Sequence, residues 1–458
     1  GPFHYDAMDL ALCAEKTFRT GLLHYEHGTG FPLTVLIGAF FVGFGRLFGI
    51  TDPVLCVNAM SALMGALNVV LFFLVVERMF DSARASFAAA LLIFFAPHLA
   101  ISTFAKSLTL SICFVLASIY FALGYVQDPA RPFKRLLLSG LFLGFCGAAR
   151  LSDLVMGLPI FFLLASHERW SRISWSRWLA WGALVFLTAG LYYVPLLADK
   201  GLTPFIQTIT NEEQSSFFGI FSFVFRASLG WVYYYWGLPG LSMVAAGFVF
   251  MALQRRTKEL LFLIVWFLTV QFFYGSVSSS GPRYLVVGWL ALIAAQGYFL
   301  GFYEKRGRLL ALLTLFIFVS LNLGPRLPAL EERHRVSPQR DYALWVSSKT
   351  RPQDLILAMD EGIFIRHYGQ RRVLAHPLTS DPRKMDAFFA EVDRALASGA
   401  RVFAAETAFS YDEKHLFKDG AYKRYKVTSV GYKINEDWHH ALLSRHLFRD
   451  YLWEFKKR

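Results

Sequence analysis

Long apolar blocks dominate the chain as far as Leu323, at residues 54–76, 86–105, 108–126, 136–149, 154–166, 179–198, 230–252, 260–275, 284–303 and 308–324. A helix that crosses a bilayer needs about 20 consecutive apolar residues, so the pattern predicts about ten spans, the shortest blocks near the lower limit. Thr34 to Ile50 is apolar too, but it is short, rich in Gly and Phe and interrupted by Arg46. That segment fits either a span, which would turn the first loop to the cytoplasm, or a helix lying along the membrane interface, and the interfacial reading is preferred. After Pro325 the pattern becomes mixed: LILAMDE, RVFAAETAF and YKVTSVGYKI read as strands, and RKMDAFFAEVDRALASG as an amphipathic helix. The fold class expected is a polytopic α-helical membrane protein with a small C-terminal α/β domain. Its parts are an acidic first loop over 1–33, a multi-span domain with its interfacial helix over 34–324, and the α/β domain over 325–458.

Basic residues fall in every second connection: Arg78 and Arg84; Arg131, Lys134 and Arg135; Arg169, Arg172 and Arg177; Arg255, Arg256 and Lys258; Lys305, Arg306 and Arg308. The positive-inside rule makes those connections cytoplasmic. The alternate ones, with Lys106, Arg150 to Asp153, Asp199 to Arg226 and Ser276 to Arg283, then lie outside together with the C-terminal domain. An interfacial Thr34–Ile50 puts the first loop outside as well, and implies a further span ahead of Gly1.

Composition adds detail. Apolar residues make up 55% of the chain and charged residues 17%, and 46 Phe with 11 Trp suit a lipid-facing surface with interfacial aromatic belts. The net charge of +13 is explained by the loops, so no nucleic-acid partner is implied. Cys13, Cys56, Cys113 and Cys146 have no paired spacing and predict neither a disulfide framework nor a zinc site.

The candidate chemistry begins in the first loop, where Asp6, Asp9, Glu15 and Glu26 stand close in sequence to His4, His24 and His27. Acids and imidazoles at the mouth of a membrane protein point to chemistry on a polar group presented at the bilayer surface.

YDAMDLALCAEK, then HYEHGTGFPLTVLIGAFFVGFGRLFGI, then VNAMSALMGALNVVLFFLVVERMF, and later GPRYLVVGWLALIAAQGYFLG, resemble the membrane glycosyltransferases of the GT-C fold. Within that group the chain is similar to the protein O-mannosyltransferase and aminoarabinose-transferase superfamily, over most of the membrane part in order. The resemblance implies inverting, metal-independent transfer of a sugar from a polyprenyl-phosphate-linked donor to a hydroxyl acceptor, which is a lipid, a glycan or a protein. It also implies a bacterial inner membrane, with the active site and C-terminal domain outside the cytoplasm. Such chemistry asks for a base, for cations beside the departing lipid phosphate, and for an apolar groove.

Asp6 matches the family's first-loop acid, which implies the general base; its alternative is a helix N-cap before Ala7 to Lys16. Asp9, one helical turn on, would orient the acceptor or raise the pKa of Asp6, or lie on a solvated face. Arg283 with Tyr284, in SGPRYL, and Arg150, in AARLSD, are candidates for the donor phosphate, because a guanidinium grips phosphate oxygens as a fork. Both arginines also suit snorkelling anchors. Lys106 binds phosphate or marks a span end; relatives carry an acid near this position that the chain lacks, so no second-acid or metal role carries over.

His24, Glu26 and His27 would contact sugar or acceptor. A divalent metal on that trio is not favoured, since no second ligand pair at helical spacing accompanies it. Gly28, Gly30 and Pro32 mark the turn into the interfacial helix, in place of the family's double-Pro turn. Glu212 and Glu213, among aromatic residues and Arg226, form either a lid over sugar and lipid or an interfacial helix. Asp360-Glu361-Gly362 fits acceptor docking or packing.

Two other classes fit a polytopic chain. A transporter or lipid flippase usually carries mid-span charge and related halves, whereas the mid-span positions are almost free of charge apart from His98 beside Pro97. A non-catalytic envelope assembly subunit would keep the fold yet tolerate loss of Asp6 and Arg283.

Overall fold

The computed structural model describes residues 5–25, 30–167, 174–202, 223–275, 281–328, 331, 337–359, 361–377, 381–410, 415–437 and 446–458. Two compact units divide the chain, one built on Leu10–Pro328 and one on Ala329–His439 and Ser444–Arg458, the division falling between Asp9 and Leu10.

The first unit is helical: α1 (Tyr5–Thr20), α2 (Pro32–Leu47), α3 (Pro53–Met79), α4 (Ser82–Ile93), α5 (Ala96–Ser102), α6 (Leu108–Gln127) and α7 (Phe133–Ala149). A 3-10 turn (Leu151–Met156) leads into α8 (Gly157–His167), followed by α9 (Trp175–Lys200), α10 (Phe223–Leu253) and α11 (Thr257–Gly275). The last two spans are α12 (Pro282–Tyr303) and α13 (Gly307–Arg326), parts of one helical run interrupted at Gly307. Among the described residues seven of these helices are long and apolar enough to cross a membrane, or eight when α4 and α5 count as one broken span. The seven are α3, α6, α9, α10, α11, α12 and α13. α7 has 17 residues and α8 has 11, so they extend roughly 26 and 17 Å at the helical rise of ~1.5 Å per residue. α2, with 16 residues, is also shorter than the ~30 Å hydrocarbon core.

Two blocks expected as single helices are broken, each for a local reason. The segment 86–105 bends by 64° between α4 and α5. Pro97 sits at the start of α5; it has no N–H to give and its ring would collide with the carbonyl of Ile93 in a continuous helix. α10 is interrupted at Gly237 (φ 57, ψ −176), a conformation open essentially only to glycine, with Pro239 two residues on.

α12 is the centre of the bundle: 89% of its most apolar window is enclosed, against 22% for α13. Gly297 and Gly301, one helical turn apart, let α12 approach α4 backbone to backbone. A Cβ on Gly297 would stand 2.6 Å from the Cβ of Ala88, and one on Gly301 would stand 3.0 Å from the Cα of Arg84. α1 is fastened to α2 by Glu15, which accepts from Arg46 at 2.5 Å and from Arg19 at 2.7 Å.

The second unit comprises α14 (Pro338–Lys349), β1 (Leu355–Ala358), α15 (Gly362–His367), β2 (Arg372–Ala375), α16 (Pro382–Ala397), β3 (Val402–Ala405), α17 (Thr407–Ser410), α18 (Leu416–Arg424), β4 (Tyr425–Asp437) and β5 (His446–Lys457). Its sheet has the order β2-β1-β3-β5-β4, parallel across β2-β1-β3 and antiparallel across β3-β5-β4. The three strand segments and the helix expected from the sequence are β1, β3, β4 and α16; RVFAAETAF turns from β3 into α17 instead of staying extended. Met385, Phe388, Phe389 and Val392 of α16 pack with Phe417 of α18 and Phe455 of β5, as the helical period requires.

Replacing Gly297 with Leu should wedge α12 from α4 and cost about 1–3 kcal/mol, seen as a lower thermal midpoint in detergent than for the same change at the open position Gly182. In the second unit, burial, then Asp450 and Glu361, hold Tyr342 well above its ordinary value near 10. The fold therefore favours neutral Tyr342, so its contribution is complete below pH ~10 and is lost as pH rises toward the folded pKa. Alkaline unfolding of this unit should shift to higher pH in Tyr342→Phe; an unchanged titration would remove Tyr342 as its cause.

A candidate active site at one end of the bundle

The end of α7 is held by side chains from two other helices. Arg150 N bonds Cys146 O at 2.8 Å, Tyr193 OH donates to Gly147 O at 3.2 Å, and Thr34 Oγ1 donates to Ala149 O at 2.9 Å. These donors satisfy carbonyls that a helix end leaves without intrahelical partners. The next residue, Arg150, is therefore displayed from a fixed point. The chain reaches Thr34 through Gly30 (φ 78) and Phe31 (φ 44), both left-handed, and the Phe31 ring comes within 5.9 Å of the Arg150 guanidinium. A left-handed Phe costs on the order of 1–3 kcal/mol, and such strain gathers at functional sites.

Arg150 is only 8% exposed and needs compensation for its buried charge. Asp153, 2% exposed in the following 3-10 turn, lies 3.7 Å from Arg150 Nε. Asp153 in turn accepts from the hydroxyls of Ser111 on α6 and Tyr274 on α11. Tyr274 OH is 3.4 Å from Arg150 Nε and 2.9 Å from Ser152 Oγ. The Nε edge of Arg150 is thus turned to Asp153 and Tyr274. Among the described residues its two Nη groups make no hydrogen bond, so the other edge of the fork is available for an anion.

Tyr284 joins the second arginine to the first. Its ring stacks on Tyr274 at 5.7 Å and 13°, and lies 4.7 Å from the Arg150 guanidinium. Arg283 donates from Nη2 to Tyr284 OH at 2.8 Å and also stands 4.7 Å from that ring. Arg150, Arg283 and Tyr284, taken from two separate motifs in the sequence, converge on one spot. Such an arrangement can grip a phosphate whose lipid tail lies among the helices.

The other candidates fall elsewhere. Lys106 is buried just before α6, five residues ahead of Ser111, with its ammonium 5.6 Å from the Phe104 ring. Asp6 lies in the first turn of α1, after its first residue Tyr5, and Asp9 is 3% exposed one turn further on. Both belong to the second unit, on the far side of the division in α1. His24 is tied down locally, its N bonding Thr17 Oγ1 at 3.0 Å and its Nε2 lying 2.8 Å from Thr20 Oγ1. Glu26, His27, Glu212, Glu213 and Asp360 lie outside the described residues. Buried Glu361 accepts from Thr407 Oγ1 at 2.5 Å, a packing contact between α15 and α17. Among the described residues no three His, Cys, Asp or Glu side chains form a group able to hold a metal.

Asp153, Tyr274 and Ser111 escaped the sequence analysis. Asp153 had a signal, an acid three residues after Arg150, but Ser111 and Tyr274 lie in ordinary apolar spans and carry none. Asp153→Asn should leave Arg150 buried without its counter-charge and cost about 3–5 kcal/mol in unfolding free energy. Adding Arg150→Gln should recover part of that loss; full additivity of the two changes would show that the pair is not coupled.

No curated protein matches the chain by sequence. Residues 35–193, less than half of the chain, match the family described as dolichyl-phosphate-mannose-protein mannosyltransferase. Among solved structures the chain is similar to ArnT from Cupriavidus metallidurans in the apo state, with TM-score 0.62 and 13% identity over 99% of this chain and 93% of that one. The same protein bound to undecaprenyl phosphate gives TM-score 0.61 and 14% identity, with the same coverage. The Archaeoglobus fulgidus oligosaccharyltransferase, in complex with Zn and sulfate, gives 0.59 and 13% over 98% of this chain and 71% of that one. By this likeness over nearly its whole length, and by the family match across α2 to α9, the chain is a membrane protein of the GT-C glycosyltransferase fold.

Proposed function

We propose that the protein transfers a sugar from a polyprenyl-phosphate-linked donor to a hydroxyl acceptor at the extracytoplasmic face of a bacterial inner membrane. The observation that carries this reading is the convergence of Arg150 and Arg283 on Tyr284, with the Asp153–Tyr274 pair holding one edge of Arg150. ArnT, whose fold the chain shares, has been seen with undecaprenyl phosphate bound. In the proposed mechanism Asp6 takes the proton from the acceptor hydroxyl as it attacks the anomeric carbon. The bond to the lipid phosphate breaks on the opposite side, and Arg150 and Arg283 stabilise the charge that develops on the departing phosphate. Asp9 orients the acceptor or raises the basicity of Asp6. Lys106 is a further candidate for the phosphate, and the Leu10–Pro328 unit supplies the apolar groove for the prenyl chain.

Broken spans are also a mark of transporters, where freed carbonyls line an ion path. In α10 the carbonyls beside the break are instead taken by Asn322 and Arg326, which favours the enzyme.

Purified protein in lipid nanodiscs, given a panel of labelled polyprenyl-phosphate sugars with extracted membrane lipids, glycans and proteins, should turn over one donor. Asp6→Asn should lower kcat by about 10²–10⁴. Arg150→Gln should chiefly weaken donor binding. Undiminished transfer by Asp6→Asn would move the base to Asp9 or Glu26, and failure of every donor to bind would sink the glycosyltransferase reading.

A further inference from the structure

The break in α10 leaves carbonyls without helical donors. Pro239 has no N–H for the carbonyl of Tyr235, and the turn of the chain at Gly237 parts the carbonyl of Tyr234 from its usual donor four residues on. Both are satisfied from α13. Asn322 Nδ2 donates to Tyr235 O, and Arg326 Nη2 donates to Tyr234 O at 2.9 Å. Arg326 Nη1 also donates to Asn322 O, and its guanidinium lies 4.7 Å and 5.0 Å from the rings of Tyr234 and Tyr235. Arg326 is 9% exposed and Asn322 4% exposed.

The part of α10 that precedes Gly237 is held at two more places. The Phe95 ring, at the break between α4 and α5, packs 4.8 Å from Trp236 and 5.9 Å from Trp289 of α12. Further along, Gln271 Nε2 on α11 donates to Ser228 Oγ on α10 at 2.7 Å, with both side chains buried. Gln271 is one helical turn before Tyr274, the residue that holds Asp153 and faces Arg150.

We infer that residues 223–236 of α10 form a rigid brace. Arg326 and Asn322 fix it at the break, the Ser228–Gln271 bond passes its position to α11, and α11 thereby sets Tyr274 against Asp153 and Arg150. Arg326 is then a positioning residue for donor binding, although it touches none of the site residues. The catalytic part of this inference rests on the proposed function; the mechanical part does not.

The test uses the full chain in nanodiscs with two readouts: hydrogen exchange of the peptides 224–236 and 268–275, and the Kd for undecaprenyl phosphate. Arg326→Gln should speed exchange in both peptides by about 10-fold and raise the Kd by a similar factor. Gln271→Leu should speed only 268–275, and adding Arg326→Gln to it should speed that peptide no further. Unchanged exchange in 268–275 on Arg326→Gln, or effects there that multiply in the double variant, would overturn the brace. Asn322→Ala removes one carbonyl contact and is read in the same way if Arg326→Gln does not fold. A wild type that shows no affinity for undecaprenyl phosphate would sink the functional reading, while the exchange pattern would still decide the brace.

Discussion

In a bilayer a backbone carbonyl without a donor costs several kcal/mol, and no water is at hand to relieve it. Each helix end or break inside the bundle therefore has to find a donor on another element. At the end of α7, Thr34 and Tyr193 supply donors; at the break of α10, Asn322 and Arg326 do. These bonds fix more than the backbone. The first set determines where Arg150 is displayed, and the second fixes the segment that meets α11 one turn before Tyr274.

A buried guanidinium imposes the second demand. Arg150 is kept in the bundle by Asp153, whose carboxylate is itself satisfied by two hydroxyls from α6 and α11. Replacing such a pair by apolar side chains is often neutral or stabilising, so stability alone is a weak reason to keep it. A fork held along one edge, with the other edge unbonded among the described residues, serves anion recognition better than it serves packing.

Close approach is obtained by removing side chains. Gly297 and Gly301 bring the central α12 against α4, while Gly237 and Pro239 break α10 and Pro97 breaks the α4–α5 span. Phe95, Trp236 and Trp289 pack together beside the breaks, their rings 4.8–5.9 Å apart. Aromatic rings in such contact add packing energy beside a broken helix.

The apolar blocks by themselves determined a polytopic helical bundle, because spanning length and the change of period after Pro325 are properties of the chain, independent of its partners. Motif likeness also singled out Arg150, Arg283 and Tyr284, since charged and hydroxyl groups at the ends of apolar blocks stand out against their surroundings. Ser111, Gln271, Tyr274, Asn322 and Arg326 did not stand out, for each makes a hydrogen bond on which its role depends to a residue more than forty positions away. Pro97 and Gly237 lie inside blocks that the sequence presents as single spans, and whether such a residue kinks, ends or leaves a span depends on what stands ready to take the freed carbonyls. The sequence thus nominated residues for the chemistry, and only tertiary packing decided which of them lie together, because the donors that lock helix ends and breaks in place come from other helices.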